Sequence, residues 1–303
     1  MTLRTMKRLI STFLLLGLAG CAPQADEPVE IEAAPEPPSS SSGGLRAALS
    51  FHASFDSGPD ADFARGDRTL FTASSYDDTS DAAPGIGNPQ VRLAAGAGRF
   101  GGALEFTAKN THAIFFRAED NVAYTPSDWS GTISFWLSLN PAVDLEPGYC
   151  DPIQITDSRY NDAAVWVDFT QDNPRQFRLG VFGDLEAWNP GEIPPDEFPF
   201  FGERLIIVDS PPFAADAWTH VVITYSGLGS DAGGTANLYV NGVAAARTVT
   251  GIEEPFTWDR DATVRLGINY VGRYDELALF DRALSADEVA ELHALDGGVG
   301  ALY

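Results

Sequence analysis

A chain of 303 residues with 44% hydrophobic content can bury one large core or two small ones. Its 19 Lys and Arg against 43 Asp and Glu leave a formal charge of −24, which excludes the basic footprint that a nucleic-acid binder needs. The 29 Gly and 20 Pro exclude a helical bundle, two cysteines are too few for a disulfide framework, and no apolar run is long enough for a transmembrane helix.

Arg4, Lys7 and Arg8 precede a short apolar stretch, Leu9 to Leu18, so residues 1–20 read as a secretory signal. Leu18-Ala19-Gly20-Cys21 resembles a bacterial lipobox, in which the signal is cut before the cysteine and the thiol is lipidated. The expectation is an exported lipoprotein with an acylated, palmitate-bearing Cys21. It would meet the membrane through that anchor only, at ~0.8 kcal/mol per buried CH₂. Ala22 in place of Asp after the cysteine points to the outer membrane, on its periplasmic or surface face, by the rule for enteric-type lipoproteins. Loss of residues 1–20 removes three basic and no acidic residues, takes the charge to −27, and leaves Lys109 as the only lysine. Such acidity with Arg in place of Lys fits a salt-adapted exported protein, and codon bias in a GC-rich genome would produce the same Arg preference. With Cys21 lipidated, Cys150 has no disulfide partner and is expected to be a buried thiol. Residues 21–44 carry Pro23, Pro28, Pro35, Pro37 and Pro38, five carboxylates and the run Ser39 to Gly44, which reads as a disordered tether.

From Leu45 to the end the pattern is one of short alternating runs broken by turns. They include Ala48 to Phe55, Ala103 to Phe106, Thr132 to Leu139, Ile153 to Thr156, Val165 to Phe169, Phe177 to Phe182, Thr219 to Tyr225 and Leu277 to Phe280. Period-2 alternation predicts strands with one buried and one solvated face. Asn241-Gly242 between Leu238-Tyr239-Val240 and Val243 predicts a hairpin on a type I′ turn, which needs positive φ at both positions. Ser285-Ala286-Asp287-Glu288 is a capping box, and Val289, Leu292 and Leu295 share one face, so a helix is predicted over 286–295, packed on the sandwich edge. The whole of 45–303 reads as one all-β domain, a two-sheet antiparallel jelly-roll sandwich with one short C-terminal helix.

Five blocks carry a family resemblance: Gly101-Gly102-Ala103-Leu104-Glu105-Phe106; Gly131 to Trp136; Ala217-Trp218-Thr219-His220 through Tyr225; Leu238-Tyr239-Val240-Asn241-Gly242; and Gly272 to Phe280 with Ala283-Leu284-Ser285 and the helix. In this order, across roughly 51–295, they resemble the strands of laminin-G-like, concanavalin A-like lectin/glucanase jelly-roll domains. The resemblance implies the fold more than the function, because the fold hosts lectins, hydrolases, lyases and adhesion modules. Two stretches, 56–98 and 184–217, are longer than the family pattern and could have been built into a ligand surface.

Candidate sites follow. Gly96-x-Gly98-x-x-Gly101 precedes a strand rather than a helix, so it reads as a turn and not a dinucleotide loop. His52, His112, His220 and His293 are dispersed and give no zinc spacing. The resemblance would imply an E-x-D-x-E strand for a retaining glucanase, and none is present; glycosidases need two carboxylates ~5–9 Å apart, and no catalytic residue is assigned. If Ile133, Phe135, Leu137, Ile153, Ile155, Val165, Val167, Phe169, Phe177, Leu179, Val181, Val221, Ile223 and Tyr225 face the core, the opposite face carries Trp136, Gln154, Trp166, Asp168, Arg178 and His220. Aromatic rings with hydrogen-bonding groups and one carboxylate suit sugar binding better than hydrolysis. Asp56 ends the first strand and Asp275-Glu276 opens the last. The resemblance places these strands side by side, which makes Asp56 and Asp275 calcium-ligand candidates. Asp77 to Asp81 reads as a solvated loop. Trp188, Phe198, Phe200 and Phe201 could contact a glycan or partner, or pin their loop to the sandwich. The reading is a non-catalytic, surface-anchored carbohydrate-binding module, calcium-dependent if Asp56 and Asp275 bind the ion, using the concave sheet and the 184–212 loop. The alternatives are a module that binds an envelope protein, or a polysaccharide hydrolase or lyase with an atypical site.

Overall fold

The computed structural model describes residues 42–195 and 197–303. The signal segment, Cys21 and the tether as far as residue 41 lie outside the described residues. Helix α1 (Ser42–Ala48) starts three residues before the expected domain boundary and leads into strand β1 (Leu49–Ala53). The long first connection forms short strands of its own, β2 (Phe63–Ala64), β3 (Phe71–Ala73), β4 (Ala83–Pro84) and β5 (Val91–Leu93). Next come β6 (Leu104–Phe106), β7 (Ala113–Arg117), β8 (Trp129–Ser138), the single turn α2 (Pro141–Asp144), β9 (Cys150–Thr156), β10 (Ala164–Phe169) and β11 (Phe177–Phe182). The second long connection contributes α3 (Leu185–Trp188), α4 (Pro199–Glu203) and β12 (Leu205–Val208). The chain closes with β13 (Thr219–Leu228), β14 (Gly234–Val240), β15 (Val243–Ala244), β16 (Val249–Ile252), β17 (Thr263–Ile268), β18 (Gly272–Phe280), α5 (Ala286–His293) and a 3₁₀ turn at Val299–Leu302. Among the described residues no helix is long and apolar enough to cross a membrane.

The strands pair into two antiparallel sheets. One runs β15-β14-β13-β8-β18-β1-β2, with β16 on β14 and the β5–β6 pair on β18; the other runs β12-β11-β10-β9-β17-β7-β3-β4. Inward residues such as Ile133, Phe135, Ile153, Val165, Leu179, Val221 and Ile223 form the core between them, as the alternation requires. The predicted hairpin is present: Val240 pairs with Val243, and Asn241 and Gly242 have φ of 51° and 76°. Neighbouring first and last strands are also present, with Phe51 opposite Leu279.

The expectation of one solvated face fails in the middle of the ten-stranded sheet, where β8, β13 and β18 are buried on both sides. The cause is a second apolar layer. The capping box at Ser285 and Glu288 starts α5 as predicted, but the helix lies across the outer face of this sheet rather than on its edge. Val289 and Leu292 pack there with Leu49, Val222, Tyr239, Ala278 and Phe280, and the 3₁₀ turn adds Val299 and Leu302. Cys150 is a buried free thiol, and burial pushes its pKa up to about 11.

Candidate functional site

The outer face of the eight-stranded sheet carries a pocket, although β10 beneath it is buried at every residue. Cross-strand register sets two rows of side chains on it. Arg265 of β17 stands opposite Gln154 of β9, and Gln154 opposite Trp166 of β10. Trp166 in turn faces Gly180 of β11, where a Cβ would stand 2.2 Å from the indole, so only glycine leaves room for it. In the next row Asp168 of β10 stands opposite Arg178 of β11. A β-bulge completes this row. Val167 pairs with Ile153, but Phe169 pairs with Cys150, so Asp151 and Pro152 occupy the space of one residue. By plain alternation Asp151 would follow Ile153 into the core; the bulge re-aims it outward, where Gln154 Nε2 donates to its Oδ2 at 3.1 Å.

These rows floor a pocket of about 340 Å³, and the two long connections wall it. Tyr76 and Asp77 come from the first; Tyr76 packs with Phe71 and Phe115 in a small apolar cluster and donates from its hydroxyl to the Asn110 carbonyl at 2.7 Å. Pro195 and Phe201 come from the second. Phe198, Phe200, Phe201 and Trp188 form a satellite cluster with Phe182 and Trp166, which fixes this loop on the sheet. The aromatic loop thus supplies a pocket wall while being pinned to the sandwich. Tyr149 (44% exposed) and Tyr160 (38% exposed) stand at the rim. Trp166 is only 2% exposed: its Nε1 donates to the Tyr160 carbonyl at 2.6 Å, and its ring lies beneath the Arg178 guanidinium, 5.8 Å away.

Charge in the floor is arranged unevenly. Arg178 forks onto Asp168, with Nε donating to Oδ1 at 2.8 Å and Nη2 to Oδ2, and its guanidinium also sits over the Tyr149 ring at 4.9 Å. Burial, and then the nearby charge of Asp168, push Asp151 well above the ordinary carboxylate range. Burial also raises Asp168, against the pull of Arg178. Arg265 is 6% exposed and donates from Nε to Thr263 Oγ1 at 3.0 Å and from Nη1 to the Ser158 carbonyl at 3.1 Å. Burial draws its pKa down.

Against this geometry, comparison with known proteins is decisive for the family. The profile described as "Concanavalin A-like lectin/glucanases superfamily" matches residues 111–290. The chain belongs to this superfamily. Among solved structures, the botulinum neurotoxin serotype D binding domain superposes with a TM-score of 0.55 at 12% identity, over 84% of this chain and 52% of that one. A second structure of that receptor-binding domain gives 0.53 at 12% identity, over 82% and 53%. Domain 4 of AbnA, an extracellular arabinanase from Geobacillus stearothermophilus, solved with arabinotriose, gives 0.48 at 17% identity, over 80% of this chain and 97% of that one. No curated protein matches in sequence.

In this superfamily member the six residues expected on one face do not meet. Gln154, Trp166, Asp168 and Arg178 share the pocket floor. Trp136 and His220 lie on the other sheet, paired across β8 and β13, and are 5% and 1% exposed. The His293 ring of α5 stacks on both at 5.3 Å, so this patch belongs to the covered face and the single-groove expectation is corrected. The four strands alternate alike, and alternation does not tell which sheet a strand joins.

Asp56 and Asp275 fasten the turn between β5 and β6. Asp275 Oδ2 accepts from the backbone N–H of Arg99 at 2.6 Å and of Phe100 at 3.3 Å, its Oδ1 accepts from Glu276 N–H at 2.8 Å, and Asp56 Oδ1 accepts from Gly102 N–H at 2.6 Å. Burial, with the neighbouring Glu276 charge, raises Asp275 to about 8. Calcium takes six to eight oxygens; three of these four carboxylate oxygens already accept from the backbone. Among the described residues no group of three or more His, Cys, Asp or Glu is gathered to hold a metal.

The sequence reading missed Asp151, Arg265 and the rim tyrosines. Pro152 inside a strand run was the available signal for the bulge. Arg265 lay in the alternating run Thr263 to Leu266, which could have been read as a strand.

Proposed function

We propose that the protein is a non-catalytic carbohydrate-binding module that holds a saccharide in the pocket on the outer face of the eight-stranded sheet. The observation that carries this reading is the rim of exposed tyrosines, Tyr149 and Tyr160, above a floor of fixed hydrogen-bonding groups. Tyrosine faces stack on the apolar faces of sugar rings, while Gln154, Arg178 and Arg265 supply direction. The family pairs lectins with glucanases, which fits a saccharide ligand. The test is a glycan array probed with the full chain, in calcium and then in EDTA. Saturable signal that weakens in Tyr160→Ala supports the reading, and no signal from folded protein overturns it. Loss of signal in EDTA would support the calcium proposal at Asp56 and Asp275; equal signal would overturn it.

A hydrolytic reading rests on one observation: Asp151, raised by burial and by the Asp168 charge, shares the pocket floor with Asp168, a pairing of the kind that separates acid from base. Release of reducing ends that is lost in Asp151→Asn would favour it over the module. Export and lipidation at Cys21 are a separate proposal. Palmitate labelling that persists in Cys21→Ala would overturn it.

A further inference from the structure

Among the described residues three arginines are buried, and two of them, Arg175 and Arg204, spend both terminal nitrogens on the chain. Arg178 is paired with Asp168 and Arg204 with Glu254. Arg175 donates from Nη1 and Nη2 to the carbonyls of Gly148, Thr170, Leu145 and Glu146, and only its Nε lacks a partner. Arg265 differs. Among the described residues no carboxylate reaches it within salt-bridge distance, and its Nη2 donates to none of their groups. Asp77 and Asp157 are the carboxylates whose fields reach it, without bonding to it. A buried charge without a counter-charge is costly unless something supplies one. Arg265 lines the floor of the pocket.

The groups around Arg265 leave room for an anion. Asp168 is paired with the Arg178 fork, and burial with the Asp168 charge raises the neighbouring Asp151. Exposed Arg159 stands at the edge of the same pocket, opposite in charge to Asp77. The pocket thus gathers three arginines, Arg159, Arg178 and Arg265, beside three aspartates, within a chain whose net charge is −24.

We propose that this pocket selects saccharides bearing an anionic group, a carboxylate or a sulfate ester, and that Arg265 receives that group. The proposal rests on the saccharide-pocket reading above and sharpens it to a ligand class. A guanidinium presents two parallel N–H donors that match either oxyanion. A uronic acid or sulfated sugar would stack its ring on Tyr160 and turn its anion down to the floor.

The overall charge makes the experiment discriminating, because a strongly acidic protein is repelled by a polyanion unless a built site holds it. Full chain is run by native affinity electrophoresis in gels containing polygalacturonate, its methyl-esterified form, dextran sulfate or dextran. The expected result is retardation at least tenfold stronger in polygalacturonate than in the ester, or in dextran sulfate than in dextran; which pair responds tells carboxylate from sulfate. Arg265→Gln is expected to lose that retardation at least tenfold, and Arg265→Lys to keep part of it. The acid-against-ester comparison uses the unmodified chain, so it decides even if Arg265→Gln does not fold. Equal retardation by acid and neutral forms, or by neutral forms alone, overturns the anion proposal while leaving the saccharide pocket standing. Retardation that survives Arg265→Gln in a folded variant overturns the assignment to Arg265. No retardation in any gel together with a blank glycan array overturns the pocket reading, and this proposal with it.

Discussion

Each outer face of the sandwich carries a tryptophan backed by polar side chains, Trp136 with His220 and Ser134 on one sheet, Trp166 with Gln154 and Arg178 on the other. On the ten-stranded sheet the chain lays its own C-terminal helix over them: His293 stacks on Trp136 and His220, and His220 Nε2 bonds Ser134 Oγ at 2.9 Å. On the eight-stranded sheet the two long connections stop short of closing and become walls. Aromatic and polar residues on an outer face therefore do not identify a binding surface. What distinguishes the two is, on one side, a guanidinium without a bonded carboxylate among the described residues beneath exposed tyrosine rings, and on the other a ring stack laid under α5.

Acid should break the covered face first, and this is the largest effect expected. Burial, with the nearby His293, depresses His220 to about 3 from an ordinary value of 6.5. The unfolded chain takes up the proton below 6.5 and the folded chain resists it. The His220 contribution to stability is thus full above 6.5 and falls as pH drops toward 3, by an amount on the order of 4 kcal/mol. Asp275, raised to about 8, contributes in the opposite sense, so the test is the difference in stability-against-pH slope between parent and His220→Asn in denaturant titrations, which should equal the loss of this contribution. An unchanged slope would mean that the ring is not sealed.

Leu292→Ala sharpens the same contrast without charge. Leu292 is buried beneath α5 against the sheet, and removing it should cost about 3 kcal/mol. Thermal denaturation should show a midpoint several degrees lower, with saccharide affinity unchanged.

The open face should respond the other way. The Tyr160 side chain is at the rim, its backbone carbonyl accepts from Trp166, and its ring meets Trp166 and Phe201 edge-on at 6.3 and 6.5 Å. Tyr160→Ala should weaken saccharide binding up to tenfold, about 1.4 kcal/mol, measured by titration. Loss of the two edge-on ring contacts should cost about 1 kcal/mol of thermal stability. A large loss of stability instead would make the tyrosine a packing residue.

The fold was legible because its signals are local or periodic. Asn241-Gly242, the Ser285–Glu288 box and the Val165–Phe169 alternation each specify geometry within a few residues. The site was half legible. Trp166, Asp168 and Arg178 follow from parity on strands that pair with one another. Trp136 and His220 obey the same parity, but strand order is a long-range property that parity does not carry. Asp151 defeats parity outright, because the bulge at Pro152 reverses its direction. Arg265 shows a related limit: its strand could be recognised, but its lack of a counter-charge depends on residues from distant loops.

Ser285→Ala is the mildest probe and the most direct test of whether the two faces are independent. Ser285 Oγ accepts from the Glu288 N–H at 3.3 Å, and Glu288 Oε2 accepts from the Ser285 N–H at 2.9 Å. The substitution removes one of these bonds and leaves Glu288 held by Arg282, whose fork keeps its carboxyl down at about 2. The expected cost is therefore about 1 kcal/mol, read as a midpoint lower by roughly 2–4 °C. The helix frays at its first turn while Val289 and Leu292 stay seated, and the pocket lies on the far sheet with no group in common. Saccharide affinity should match the parent within error. A shift in affinity that tracks the shift in midpoint would show that the cover on one sheet sets the shape of the other, and the comparison between an inert face and a binding face would have to be replaced by one coupled sandwich.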